Sequence, residues 1–339
     1  MENVTRLCAP IDDSSSAYNS PVIIITCILG FIGNAIALWI YCFHVQSWKP
    51  NTVYSLNLAI ADTLLICCLP FRAGYYIRDK NWIFGDVLCR LNIFMISLNR
   101  VGSIIFLMVI AVDRYFKVVH PLHKANKATP RCAVKIAVVL WVVAVALCSH
   151  LLIERHDFIQ RNVTFCEPFN INFPKSPTAI WTDAVFIVFK FVLPVTVILF
   201  STSCIIWKLR QMDSDIRGKY RRAIKLVIAV TVVFIFCFLP TNVAVVAVLI
   251  TRLRSDEDCQ SYVTAVNIFY NTLFMTYLNS VVDPVIYYFS SSAFKGALRK
   301  ALRPLNISVS KSTTDQEMEP RESKAEPSTD RHLSSAVFL

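Results

Sequence analysis

Glycine is scarce in this chain, with seven residues among 339. A glycine-rich phosphate loop, a His-Glu-x-x-His pair and a nucleophile elbow are all missing, so no enzymatic activity is expected. Charge is scarce as well: 17% of residues are Asp, Glu, Lys or Arg, against 55% hydrophobic. With a mean hydropathy of +0.52, too little charge remains to coat a soluble surface. The first twenty residues carry Glu2, Asp12 and Asp13 and lack the apolar centre of a cleavable leader. The first membrane helix is therefore expected to direct its own insertion. Alternating ten-residue segments are missing, which argues against a β-barrel. No internal repeat points to a transporter built from two related halves.

What is abundant is apolar sequence in long runs. Crossing about 30 Å of hydrocarbon takes roughly 20 apolar residues. Seven stretches qualify, at 21–44, 52–77, 87–119, 132–153, 181–209, 222–250 and 262–289. Lys and Arg mark the cytoplasmic side: six fall in 114–135 and seven in 208–225. The loop acids Asp79, Asp86, Glu154, Asp157, Glu167, Asp256, Glu257 and Asp258 fall on the other side, which puts the N-terminus outside and the C-terminus inside. The formal net charge of +11 is thus matched to anionic membrane lipid, with no nucleic-acid partner expected. Residues 291–303 read as a short amphipathic helix on the inner leaflet, with Phe294, Ala297, Leu298 and Leu302 on one side. The expected fold is an all-α membrane protein, a seven-transmembrane helix bundle with a short amphipathic eighth helix. It divides into an extracellular N-terminus at 1–20, a helical domain at 21–303 and a disordered cytoplasmic tail at 304–339.

Of twelve cysteines, this topology places Cys8, Cys89, Cys166 and Cys259 outside, the even number that disulfide pairing requires. Cys89 opens helix three and Cys166 lies in the long second outer loop, so these two are paired. Cys8 with Cys259 follows by elimination, free thiols being the alternative for either pair. Asn3 and Asn162 head outward-facing glycosylation sequons, whereas Asn306 heads one on the cytoplasmic side that is expected to stay bare.

Ionisable side chains inside a span are costly and mark candidate sites. Arg100 lies about 16 Å below Cys89 along helix three, too deep to reach the interface. A guanidinium stays protonated and can grip a carboxylate with two parallel hydrogen bonds. The alternative for Arg100 is an ion pair with Asp62. Arg72 lies about 15 Å outward of Asp62 on helix two, where it can face a ligand or snorkel. Lys190, one turn before Pro194, offers a third cation, favouring a more anionic ligand, or pairs with Asp183. Tyr277 can add a phenolic hydrogen bond or simply pack. Glu167 faces either the cavity or solvent.

At the inner end of helix three stands Asp113-Arg114-Tyr115, followed by Phe116-Lys117-Val118-Val119-His120-Pro121. Gly33-Asn34, Leu58-Ala59-Ile60-Ala61-Asp62, Trp141, Pro194, Cys237-Phe238-Leu239-Pro240 and Asp283-Pro284-Val285-Ile286-Tyr287 follow one per helix and in order. This series resembles the rhodopsin-like G-protein-coupled receptors over about residues 20–303. More narrowly, Cys68-Leu69-Pro70-Phe71-Arg72, Trp82-Ile83-Phe84-Gly85-Asp86, 99–107 and 276–284 are similar to the hydroxycarboxylic-acid receptors and the neighbouring oxoeicosanoid receptor.

The resemblance implies a plasma-membrane receptor for a small carboxylate or lipid-acid ligand. It would signal through an inhibitory heterotrimeric G protein to lower cyclic AMP, with arrestin engaging a phosphorylated tail. An orphan with basal activity is the alternative, and a carboxylate transporter or channel the remoter one. By position, the resemblance implies ligand contact at Arg100, Arg72 and Tyr277. It also implies an internal sodium site at Asp62, Ser103, Asn279, Ser280 and Asp283, and no other metal or cofactor. Coupling falls to Asp113, Arg114 and Tyr115, and the activation switch to Phe238, Pro240 and Tyr287. Phe238 stands where the family more often has tryptophan, the usual helix-six acid facing Arg114 is absent, and Val245 replaces an arginine of the hydroxycarboxylic-acid receptors.

Overall fold

The computed structural model describes residues 14–160, 162–169, 185–253 and 259–302. In a hydrocarbon medium each backbone N–H and C=O must be satisfied within the chain, and apolar runs therefore form helices. They are α1 (Ser14–Phe43), α2 (Pro50–Ile77), α3 (Gly85–Val119), α4 (Pro130–Cys148), α5 (Val185–Arg210), α6 (214–253) and α7 (Cys259–Ser290), with α8 at Ser292–Leu302. Pro50 and Pro130 open α2 and α4, positions where the missing N–H is no loss, and Thr129 Oγ1 caps α4 by accepting from Cys132 N at 3.3 Å.

Six of these helices are both long and apolar enough to cross a membrane. The expected seventh, α7, has 32 residues and hence ample length, but Asn267, Asn271, Asn279, Ser280 and Asp283 lower its hydropathy. Three of those, Asn279, Ser280 and Asp283, are completely buried, so their polarity faces the bundle and not lipid. The apolar side chains of α1 and α4 do the reverse: Ile25, Ile28, Phe31, Val138, Val139 and Val142 are exposed, as a lipid-facing surface requires. Central α3 packs on α2, α4, α5 and α6. Leu58, Leu107, Ile110, Phe234 and Phe238 fill the inner half of the core, and Leu69, Trp82, Ile93, Tyr262 and Phe269 the outer half.

The expected fourth span, 132–153, is shorter in the structure. The ladder breaks at Ser149, whose hydroxyl donates to the Ala146 carbonyl at 2.9 Å, and a single turn, His150–Ile153, follows. Strands β1 (Asp157–Gln160) and β2 (Val163–Cys166) then form an antiparallel hairpin, Phe158 stacked on Phe165 at 5.5 Å. Two helices widen to π turns, α5 at Val188–Val192 and α6 at Phe234–Phe238. Each wide turn ends two residues before a proline, Pro194 or Pro240, whose ring would otherwise strike the carbonyl four residues back. In α8, Phe294 and Ala297 are buried, Phe294 lying 5.1 Å from the Tyr41 ring.

The Cys89–Cys166 disulfide is present, with Cα atoms 5.7 Å apart. Cys8, Asn3, Asp183, Asn306, the side chain of Cys259 and the tail from 303 onward lie outside the described residues.

Candidate functional site

The outer ends of the helices enclose a cavity of about 130 Å³. It is walled by Ile93, Ile96, Ser97 and Ile104 of α3, by Val245 and Leu249 of α6, and by Phe269 and Leu273 of α7. His156, Pro168 and Phe169, around the hairpin, close part of its outer side. Three cations line it: Arg72 from α2, Arg100 from α3 and Lys190 from the wide turn of α5.

Arg72 Nε and Arg100 Nη1 are both buried without a partner, but Arg72 donates through Nη1, whereas Arg100 makes no hydrogen bond among the described residues. Arg100 forms no ion pair among them either. The pairing with Asp62 is not made. That carboxylate instead accepts from Asn99 Nδ2 at 3.2 Å and Tyr287 Oη at 2.7 Å. A buried guanidinium nitrogen without a partner costs about 1–3 kcal/mol or more, a penalty that an anion in the cavity would relieve.

Arg72 is 1% exposed and already engaged. Its Nη1 donates to the Cys166 carbonyl at 2.8 Å, and its guanidinium carbon lies 5.0 and 5.5 Å from the ring centroids of Tyr75 and Tyr76. Behind it, outside the cavity lining, is Glu167, equally buried, which accepts from Tyr75 Oη at 3.0 Å. Glu167 thus faces neither cavity nor solvent. Tyr277 is also buried behind the wall, its hydroxyl beside the Arg72 guanidinium. Lys190 Nζ lies 4.9 Å from the Phe186 ring centroid, and His150 stacks on the same ring at 4.8 Å. Sequence reasoning missed His150 and Phe186; an ionisable residue at the outer end of an apolar run was the available signal.

Deeper in the bundle the five expected sodium-site residues are all buried. Asn279 Nδ2 donates to Asp283 Oδ2 at 2.8 Å, while Asn279 Oδ1 and Asp283 Oδ1 have no partner. Ser280 Oγ donates to the Tyr277 carbonyl at 2.8 Å, and Ser103 lies 3.5 Å from Asn99 Nδ2. Asn99 was absent from the expected set, although a polar residue inside an apolar run is itself a signal. Tyr287 joins the group by bridging Asp62 and Asn34, its hydroxyl 3.0 Å from Asn34 Oδ1.

At the inner end, Asp113 Oδ2 is 3.3 Å from Arg114 Nη2. Tyr115 Oη lies 3.1 Å from His120 Nε2. Phe238 is fully buried in the core and Pro240 follows the wide turn of α6. On the outer side Asn162 is exposed in the hairpin turn with φ of 64°, a left-handed conformation that asparagine tolerates.

Residues 33–287 match the model of the "7 transmembrane receptor (rhodopsin family)". The chain is 43% identical to Hydroxycarboxylic acid receptor 2 of Homo sapiens over 288 residues, covering 85% of this chain and 78% of that one. It is 42% identical to Hydroxycarboxylic acid receptor 1 of Mus musculus, covering 88% and 86%, and 35% identical to Oxoeicosanoid receptor 1 of Homo sapiens, covering 85% and 73%. With seven helices in series, one of them carrying its polarity inward, and a family match spanning them, the chain belongs to the rhodopsin family of seven-transmembrane receptors, multi-pass plasma-membrane proteins that are receptors and not enzymes.

Proposed function

We propose that this receptor binds a small organic acid through its carboxylate and signals through an inhibitory G protein to lower cyclic AMP. The observation that carries the reading is the buried, unpartnered guanidinium nitrogen of Arg100 on the cavity wall. The names of the relatives, hydroxycarboxylic acid and oxoeicosanoid receptors, support an acidic ligand. The apolar Val245 and Leu249 on the cavity wall suit the carbon skeleton of such an acid. Lys190 supplies a further cation and Tyr277 a phenol near the anchor.

Beneath the ligand, the paired carboxyls of Asp62 and Asp283 repel unless a cation or proton lies between them. The partnerless Asn279 Oδ1 and Asp283 Oδ1 suit a sodium ion, held with Asp62, Ser103 and Ser280, that stabilises the resting bundle. Asp113, Arg114 and Tyr115 form the coupling end, Phe238, Pro240 and Tyr287 the switch, and arrestin reads the phosphorylated tail.

The test is a panel of short hydroxy acids and of oxo- and hydroxy-fatty acids, read as nucleotide exchange on an inhibitory G protein and as cyclic AMP suppression. An active short acid is expected. Ligand-dependent uptake or current without nucleotide exchange would overturn the reading in favour of a transporter.

A further inference from the structure

Asp113 is shared by two cations, and the closer one is not Arg114. Lys117 Nζ lies 2.8 Å from Oδ1 and 2.8 Å from Oδ2, straddling the carboxylate, whereas Arg114 Nη2 stands 3.3 Å from one oxygen. Helix geometry explains the preference. Residues four apart share a face of the helix, whereas neighbours in sequence point about 100° apart. Lys117 is also tethered beyond its own helix: its ammonium donates to Asn51 Oδ1 at 3.5 Å, and Asn51 Nδ2 donates to the Ser290 carbonyl of α7 at 3.4 Å. The ammonium therefore has a fixed place beside the carboxylate.

We propose that Lys117 is a positioning residue for G-protein coupling: by neutralising Asp113, it weakens that carboxylate's hold on Arg114 and keeps the guanidinium ready for the G protein. The proposal rests on the coupling role of Arg114 given above. A carboxylate already matched by an ammonium at both oxygens offers the guanidinium less than a bare one would. The hold of Asp113 on Arg114 is thus reduced before any ligand arrives.

The test uses the full-length receptor in lipid nanodiscs and its affinity for nucleotide-free inhibitory heterotrimer, without ligand. Lys117→Gln is expected to weaken that affinity about two- to fivefold, the range of a partly exposed ion pair, and Lys117→Arg to restore it. In an Asp113→Asn background, Lys117→Gln is expected to change nothing further. Unchanged or tighter binding by Lys117→Gln would overturn the proposal. So would an equal loss in the Asp113→Asn background, because Lys117 would then be touching the G protein directly. If Arg114→Ala bound as well as the wild type, the coupling role itself would fall, and the proposal with it.

Discussion

Arg72 is buried and Arg100 half-buried on one cavity, and their surroundings predict different consequences of removal. Arg100 makes no hydrogen bond or ion pair among the described residues, so its charge is available to a ligand. Arg100→Ala is expected to raise the half-maximal concentration of an active acid about 10- to 150-fold, from the roughly 1.5–3 kcal/mol of a hydrogen bond to a charged group. Arg100→Lys should recover only part, since an ammonium lacks the bidentate fork. Concentration–response curves of nucleotide exchange check both, and unchanged potency in Arg100→Ala would sink the anchoring role. Arg72 instead holds the Cys166 carbonyl and two tyrosine faces. Arg72→Ala should therefore cost about 1–3 kcal/mol of stability, seen as earlier thermal unfolding of the solubilised receptor, besides any loss of potency. Sequence alone singled out both residues, because a charge inside an apolar run has few explanations. It could not separate their roles, since the partner of Arg72 is a backbone carbonyl 94 residues away.

Among the elements, the hairpin β1–β2 depends most on one bond. The Cys89–Cys166 disulfide closes a loop of 77 residues, and cross-links of this size stabilise by about 2–5 kcal/mol in water-soluble domains. Here the helices stay inserted in lipid, so the effect concentrates on the outer loop. The double variant Cys89→Ser with Cys166→Ser is expected to retain helical content by circular dichroism but to lose most of its response to acid. A full response would show that the hairpin does not shape the cavity. Most helix limits were readable from apolar run length to within about five residues, although α1 and α6 begin seven and eight residues before the expected 21 and 222, and this disulfide was readable as well. The break at Ser149 and the two wide turns were not, because they depend on local hydrogen-bond competition and on how a proline ring is accommodated. Those departures matter for the cavity: His150 follows the break, and Lys190 lies within one wide turn.

The whole molecule is organised around polar groups hidden from lipid. Hydropathy finds six helices and undercounts α7, because the side chains that make α7 polar are the ones that face the other helices. The apolar run at 262–289 nevertheless made the seventh span legible, and the ordered motifs agree with it. If sodium stabilises the resting bundle, replacing choline with sodium should weaken agonist binding. Asp62→Asn should abolish that sensitivity while leaving the receptor folded, since the amide oxygen can still accept from Tyr287 and its NH2 can donate to the Asn99 oxygen once that side-chain amide turns over. Agonist competition binding in the two salts measures it, and a sodium effect that persists in Asp62→Asn would place the ion elsewhere.

The wide turns of α5 and α6 meet through their aromatic rings. Phe191 comes from one and Phe234 from the other, nearly parallel with centroids 5.7 Å apart. A stacked pair can slide sideways while keeping most of its contact, and π turns inside α-helices occur frequently at functional sites. Were α6 to turn against α5, this seam would let it do so with the two rings still touching.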